Sequence, residues 1–224
     1  MKPIRVLPLI LFLIPPILLA GGKATLQGGK GGGAAIMELE YAESGKVRMN
    51  MPQEQGGSGY MLARDGKAWM VMNVEGQVMV MDVAQMAGMA RDMGAPSGDE
   101  ALKHQFIEAK NTGRKEGVAG YEGEVYKMTW RDRRGTHTAE VVLSSHPDVV
   151  EFSRAWMKFA SSMSRAVAEQ DGSENSIGEY LNKEGKGLLR MGDEFRVVSI
   201  EPGKVDESRF TLPKATLQMP KMPR

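Results

Sequence analysis

Apolar and polar residues alternate along the first half of the chain, in short runs separated by turn residues. Asp65-Gly66 and Glu75-Gly76 each join two such runs, and pairs of this kind favour the type I′ hairpin turn because its central residues need positive φ. Strands joined so tightly are antiparallel, so the pattern predicts a meander. The predicted strands are residues 36–41, 46–51, 60–64, 67–74 and 77–82.

The apolar period changes to that of an amphipathic helix in two places. Asp82 can cap a short helix, with Gln85 at the reciprocal capping position. A longer helix is predicted over residues 146–168, where Ser145 and Asp148 are typical of a capping box. Each helix has one apolar face, so we expect both to lie on a sheet. The apolar positions are Val83, Met86, Ala90 and Met93 in the first helix, and Val149, Phe152, Trp156, Phe159, Met163 and Val167 in the second.

A second group of strands surrounds the long helix in sequence. Strands arrive in consecutive groups and outnumber helices, which is typical of the α+β class. We therefore predict a curved antiparallel β-sheet, unclosed and half-barrel-like, with the long amphipathic helix and the shorter helix packed on its concave face. The further predicted strands are residues 122–131, 136–143, 188–191, 194–201 and 209–212.

Residues 1–22 have the pattern of a signal peptide. Two cations, Lys2 and Arg5, precede an apolar run over residues 6–19 that contains a proline pair. A membrane-spanning helix needs about 20 apolar residues without such a break. We therefore expect an exported, periplasmic and soluble protein, while an uncleaved amphiphilic anchor remains the alternative.

The chain after the apolar run divides into three predicted parts. Cleavage is expected near Ala20, and glycine-rich residues 23–35 are predicted to be a flexible leader. Residues 36–213 form the predicted single domain, followed by a C-terminal tail at 214–224. No cysteine follows the apolar run, so lipid attachment to a new N-terminal Cys is not available.

Composition argues against several functional classes. The 224 residues contain no cysteine, so neither disulfides nor thiolate metal sites contribute. The formal charge is +1, and removing Lys2 and Arg5 with the signal leaves −1, so nucleic acid is not an expected partner. His104, His137 and His146 are too widely spaced for a local metal motif, and no catalytic signature is present. We expect no enzyme activity, no metal and no cofactor.

Methionine is the most unusual component, with 18 residues, six of them in three Met-x-Met pairs. Alternation places both members of a pair on one face of a strand, so neighbouring strands would bring the six thioethers to one surface. Three interpretations stay open: methionine fills an irregular core, lines an adaptable apolar site, or captures copper(I). With three aromatic residues added, the candidate ligand-binding set is Met49, Met51, Met70, Met72, Met79, Met81, Trp130, Phe152 and Trp156.

One segment carries a family resemblance. Residues 111–126, NTGRKEGVAGYEGEVY, resemble the central signature of an exported family known as domain of unknown function 4412, and residues 187–190 and 210–213 resemble its closing elements. The resemblance implies a fold akin to the periplasmic lipoprotein carriers, and no established activity. Many members of the family have a cysteine where this chain has Gly123, so a role for that thiol is excluded here.

Three functional hypotheses follow. The first is a periplasmic binding or carrier module that holds a lipid, a lipoprotein or a peptide segment between the sheet and the long helix. The second is a methionine-rich copper or oxidative-stress binding protein, and the third is a structural subunit of an envelope assembly. The expected partner is thus a hydrophobic ligand or an envelope protein, with the oligomeric state left open.

Overall fold

The computed structural model of the chain describes residues 21–29, 35–51, 57–94, 105–132, 135–167 and 176–216. Within these ranges, eleven strands form one antiparallel sheet and three α-helices pack with it. The strands are β1 Gly21–Gly28, β2 Ala35–Ala42, β3 Val47–Asn50, β4 Gly57–Arg64, β5 Lys67–Val74, β6 Gln77–Asp82, β7 Gln105–Val118, β8 Tyr121–Asp132, β9 Gly135–Ser144, β10 Gly187–Met191 and β11 Phe195–Pro202. The helices are α1 Val83–Asp92, α2 Pro147–Val167 and α3 Ile177–Glu184.

The sheet is unclosed, with β6 and β7 at its two edges. The strand order is β6-β5-β4-β3-β2-β1-β11-β10-β9-β8-β7, and every pair is antiparallel. The α+β class and the unclosed antiparallel sheet predicted from the sequence are therefore confirmed.

Turn chemistry sets the register of the first half. Asp65 and Gly66 have φ of 52° and 73°, and Glu75 and Gly76 have φ of 52° and 80°, as type I′ turns require. The Asp82 side chain accepts hydrogen bonds from the backbone N–H groups of Ala84 and Gln85 and so caps α1. Both predicted hairpins and the predicted cap are confirmed.

Helix α2 provides one side of the main core. It contacts the sheet from β5 on one side to β10 on the other, and its apolar stripe is buried against them. The helix begins one residue later than predicted, with His146 as its N-cap rather than Ser145. The His146 carbonyl accepts from the Val150 N–H at 3.0 Å, its Nδ1 accepts from the Asp148 N–H at 3.4 Å, and Pro147 takes the first helical position.

The closest approach of α2 to the sheet is at β10. This strand pairs with β11 only at residues 190–191, which leaves the backbone at residue 188 available to the helix. The Leu188 N–H donates to Ser153 Oγ at 2.7 Å, and a Cβ at Gly187 would overlap the Val149 carbonyl oxygen. Glycine at position 187 is therefore what allows helix and strand to touch.

Strand β1 corrects the predicted leader. Residues 21–28 lie in the middle of the sheet, between β2 and β11, so the predicted flexible leader is wrong over residues 23–28, whereas the signal boundary stays a prediction. Ala24 and Leu26 are 2% and 0% exposed while Lys23 points to solvent, which is the alternation of a strand. The abundance of glycine masked that alternation. Residues 1–20 and 30–34 lie outside the described residues.

Three further elements differ from the sequence prediction. Strand β7 was not predicted, because as an edge strand it exposes polar side chains along most of its length. Helix α3 was also missed, although its signals are present: Ser176 Oγ accepts from the Glu179 N–H, and Gly185 ends the helix at φ of 61°. The predicted strand at 209–212 is wrong, since residues 207–210 form a 3₁₀ turn.

The chain after β11 crosses the face of the sheet opposite to α2. We call residues 203–216 the C-terminal strap, and this side of the sheet the outer face. Phe210 and Val205 pack there on Leu62 of β4. At the end of the strap, the Thr216 N–H donates to the Val78 carbonyl at 2.9 Å and its Oγ1 accepts from the Val78 N–H at 2.7 Å, which covers part of the β6 edge. The other residues of the predicted tail lie outside the described part of the chain.

Candidate ligand-binding face

Four methionines form a continuous row across β3 to β6. Met49 lies opposite Met61, Met61 opposite Met70, and Met70 opposite Met81. Directly opposed residues of antiparallel strands project from the same side of the sheet. The row therefore places four thioethers side by side on one surface.

A second row runs parallel to the first, displaced by two residues along each strand. Met72 of β5 lies opposite Met79 on β6 and opposite Gly59 on β4, while the Met51 N–H donates to the Gly59 carbonyl at 3.0 Å. A Cβ at Gly59 would lie 2.6 Å from Met51 Cε and 3.7 Å from Met72 Cγ. The methionine side chains thus occupy the space that the glycine leaves open.

Both rows belong to the inner face, the side of the sheet that α2 covers. Met49 and Met61 pack against the core cluster that contains Phe152. We call the seven residues of the two rows the methionine face: Met49, Met51, Met61, Met70, Met72, Met79 and Met81. The shared face predicted from strand alternation is confirmed by the register, whereas its role in ligand binding stays a prediction.

Met61 was missed because it belongs to no Met-x-Met pair. A signal for it was nevertheless present in the sequence. A two-residue turn at Asp65-Gly66 pairs residues equidistant from it, and this rule places Met61 opposite Met70.

The methionine face is only partly closed. Met81 is buried at 8% exposure, whereas the other six members are half-buried. Helix α1 contacts β5, β6 and α2, and Val83 is its buried residue. Met89 and Met93, at the far end of this helix, are 43% and 71% exposed, although Met93 was predicted to lie on the apolar face. Because α1 buries only one of its own residues, apolar surface of the methionine face stays accessible.

The three aromatic candidates fall into two places. Phe152 is fully buried and meets the Tyr41 ring edge-on at 6.3 Å. Trp156 is half-buried and packs on Phe159 and Phe195, with ring centroids 5.9 Å and 5.7 Å away. Both belong to the cluster that includes Met49 and Met61.

Trp130 lies elsewhere, in a second cluster built on Met128 of β8 and Leu181 of α3. Its ring stacks on His137 at 5.7 Å. The structure therefore does not bring Trp130 to the methionine face. Sequence reasoning missed this because α3, which forms part of the second cluster, was not predicted.

The described histidines have structural partners. His137 Nε2 lies 2.8 Å from Asp132 Oδ1, and His146 caps α2. His104 lies outside the described residues. Among the residues that the structure covers, no group of three or more His, Asp or Glu side chains is arranged to hold a metal ion. Across the same residues, no helix combines the length and apolar character needed to cross a membrane.

A separate cleft of about 410 Å³ lies on the outer face. It forms where the strap passes the β4–β5 hairpin, so it is not connected to the methionine face. Its lining combines charged side chains with the apolar surfaces of Trp69 and Leu212, and sequence reasoning missed it because it depends on where the strap docks. The lining residues are Arg64, Asp65, Lys67, Trp69, Thr211 and Leu212.

Comparison with known proteins adds no relative to this picture. The chain matched no model of a protein family, no curated protein and no solved structure. The resemblance to the domain of unknown function 4412 stays a prediction, and function has to be inferred from the residues of this chain.

Proposed function

We propose that this protein is a non-catalytic carrier or binding module that holds a hydrophobic ligand on the methionine face. The ligand class is a lipid, a lipoprotein or an apolar peptide segment, and export by a signal peptide into the periplasm is part of the proposal. The observation that carries it is the pair of cross-strand methionine rows, six of whose seven members are only half-buried. The unclosed sheet is compatible with the half-barrel that the resemblance to domain of unknown function 4412 implies.

The choice of side chain supports this role. A core that needs one fixed packing favours Leu, Ile and Val, because their rotamers are well defined. Methionine has three flexible torsions and a polarizable sulfur, so it can repack around ligands of different shape. On the methionine face, this residue occupies both rows, whereas the buried core between α2 and the sheet contains branched and aromatic residues such as Leu39, Val47 and Phe152.

Helix α1 offers an entry route within this proposal. It packs on β5 and β6 next to the half-buried methionines, and its one buried residue, Val83, is still 9% exposed. Removing one such side chain from its contacts costs about 1.5–3 kcal/mol. A ligand that covers Met72 and Met79 would bury apolar surface in exchange. The free energy of that burial would offset the cost of displacing α1.

Native mass spectrometry of the protein purified from cell envelopes tests the proposal. We expect a bound lipid or peptide that dissociates on activation. The double variant Met72→Gln/Met79→Gln keeps side-chain length but adds polar groups to the face, so it should lose the bound molecule. Val198→Gln, at an exposed site on β11, is the matched control and should keep it. Protein without any bound apolar molecule, which also fails to bind added fatty acid, would contradict the carrier role.

Copper(I) binding is the second candidate. It is favoured by the approach of Met51 and Met72 to Gly59, next to Met79, because soft thioether ligands suit copper(I). Titration against a competing chelator tests it, with Met70, Met72, Met79 and Met81 replaced by Leu. A large loss of affinity is expected if the thioethers are ligands, and an unchanged affinity rejects this candidate.

A further inference from the structure

The start of β1 lies against the first turns of α2. The Gly21 backbone nitrogen donates to Glu151 Oε1 at 2.5 Å. On its other sides, Gly21 pairs with Ala42 of β2, and its carbonyl accepts from the Gly203 N–H at 3.1 Å. The first residue of the sheet is thus held by a neighbouring strand, by the strap and by a carboxylate from the helix.

The environment of this nitrogen is acidic. Asp148 lies one turn before Glu151 on α2, and Glu43 lies just after β2. Burial raises the pKa of Glu151, the charges of Asp148 and Glu43 raise it further, and the Gly21 N–H and Arg154 oppose this. A half-buried carboxylate is therefore bonded to a neutral amide. A cation at the same place would give a stronger, charge-assisted bond.

The backbone at this point fits closely. Gly21 has φ of 125°, where side chains are strained, and a Cβ there would lie 2.8 Å from the Tyr41 carbonyl oxygen. A Cβ at Gly22 would lie 2.7 Å from the Glu201 carbonyl oxygen. The two glycines allow the end of β1 to sit between β2 and β11 with its nitrogen directed at Glu151.

The preceding sequence supplies a reason for this arrangement. Ala20 ends the apolar run of the predicted signal peptide, so Gly21 is the residue that cleavage after Ala20 would leave first. We propose that removal of residues 1–20 converts the Gly21 nitrogen into an α-ammonium group, and that this group forms an ion pair with Glu151 that fixes β1 in the sheet. The inference rests on the export part of the proposed function.

The chemistry of this step is hydrolysis of one peptide bond. Water adds across the Ala20–Gly21 bond, which leaves a carboxylate on Ala20 of the released peptide and an ammonium on Gly21. A signal peptidase of the exporting membrane is the catalyst. The same nitrogen is a neutral donor before cleavage and a cation after it, so the ion pair with Glu151 forms only in the processed chain.

The first test is the intact mass and N-terminal sequence of the protein recovered from the envelope. We expect a chain that starts at Gly21. A chain that retains residues 1–20, or that starts at another residue, overturns the inference. This outcome is separate from the carrier proposal: a chain starting at Gly21 without a bound apolar molecule supports the ion pair and contradicts the carrier.

The second test compares the purified chain starting at Gly21 with a free and with an acetylated amino group. Acetylation restores the neutral amide, so we expect it to lower the urea midpoint by about 0.5 M. Glu151→Gln should lower the midpoint of the free form similarly and that of the acetylated form little. Glu201→Gln, an exposed carboxylate of β11, is the matched control and should respond equally in both forms.

Two results overturn the inference in this test. If acetylation leaves the urea midpoint of the native sequence unchanged, no ion pair is lost. This comparison uses no substitution, so poor folding of a variant cannot affect it. Equal effects of Glu151→Gln in the free and acetylated forms show that Glu151 does not interact with the ammonium group.

Discussion

The two faces of strands β3 to β5 differ in how they are covered. On the outer face, Phe210 of the strap is 1% exposed against Leu62, and the Glu40 carboxylate of the adjoining β2 is buried with two 2.8 Å hydrogen bonds from Arg209. On the inner face, the same strands present half-buried methionines beneath α1 and α2. A single group of strands is thus closely packed on one side and only partly covered on the other.

Charged groups explain the fixed side. Arg64 donates to the Phe210 carbonyl at 3.0 Å. Arg48 donates to the Arg209 carbonyl at 3.3 Å and places its guanidinium 3.5 Å from the centre of the Tyr60 ring. Planar guanidinium groups hold one geometry well, so the strap is fixed in position. Under the proposed function, a rigid outer face would let the inner face repack around a ligand without loss of the sheet.

Removal of the buried Phe210 ring should have the largest effect on stability. Phe210→Ala should lower the free energy of unfolding by about 3–5 kcal/mol, because it deletes a fully buried ring. Leu212→Ala, at a half-buried position in the same strap, should cost much less. Urea unfolding measures both. Equal, small effects would mean that the strap is not a packed part of the domain.

The buried ion pair gives the next largest effect. Burial raises the pKa of Glu40, but the hydrogen bonds and charge of Arg209, with help from Arg48 and Lys23, outweigh this and hold the pKa below its usual range. The stabilisation is therefore complete above the ordinary pKa of about 4.3 and is lost as pH falls through the lower folded-state value.

Glu40→Gln should consequently cost about 1–3 kcal/mol at pH 7, where the carboxylate is charged. The difference between native protein and variant should shrink when unfolding is measured at pH 3. A difference that is independent of pH would show that the charge of Glu40 contributes nothing.

The inner face should give the smallest effect. Gly59→Ala adds a methyl group where Met51 Cε lies 2.6 Å away and the Val71 carbonyl oxygen 3.0 Å away. The end of a methionine side chain can move aside, so we expect a loss of about 1 kcal/mol or less. Thermal unfolding would reveal a cost comparable to that of Phe210→Ala if this face were packed as rigidly as the outer one.

More of the methionine face than of the outer face could be predicted from the sequence. Two-residue turns join β4 to β5 and β5 to β6, and such turns fix register locally. The pairing of Met70 with Met81 therefore follows from Glu75-Gly76 alone. The strap depends on contacts between Phe210 and a strand more than a hundred residues earlier. No local pattern predicts those contacts.

Strand β1 was hidden for a different reason. Glycine lacks the side chain that makes alternation visible, so Gly21, Gly22 and Gly28 obscured the two inward residues, Ala24 and Leu26. Its partner β11 lies near the other end of the chain, and the register between them is not given by any turn. The separation of Trp130 from the methionine face could not be predicted for a similar reason, since its surroundings depend on α3.

Photo-crosslinking with a diazirine-bearing palmitate tests whether the methionine face binds an apolar ligand. The labelled residues are identified by tandem mass spectrometry. We expect label on the methionine face, at Met72, Met79 and neighbouring residues of α1, and competition by unlabelled palmitate. Label confined to the outer cleft, at Trp69 and Leu212, or label that does not compete, would contradict it.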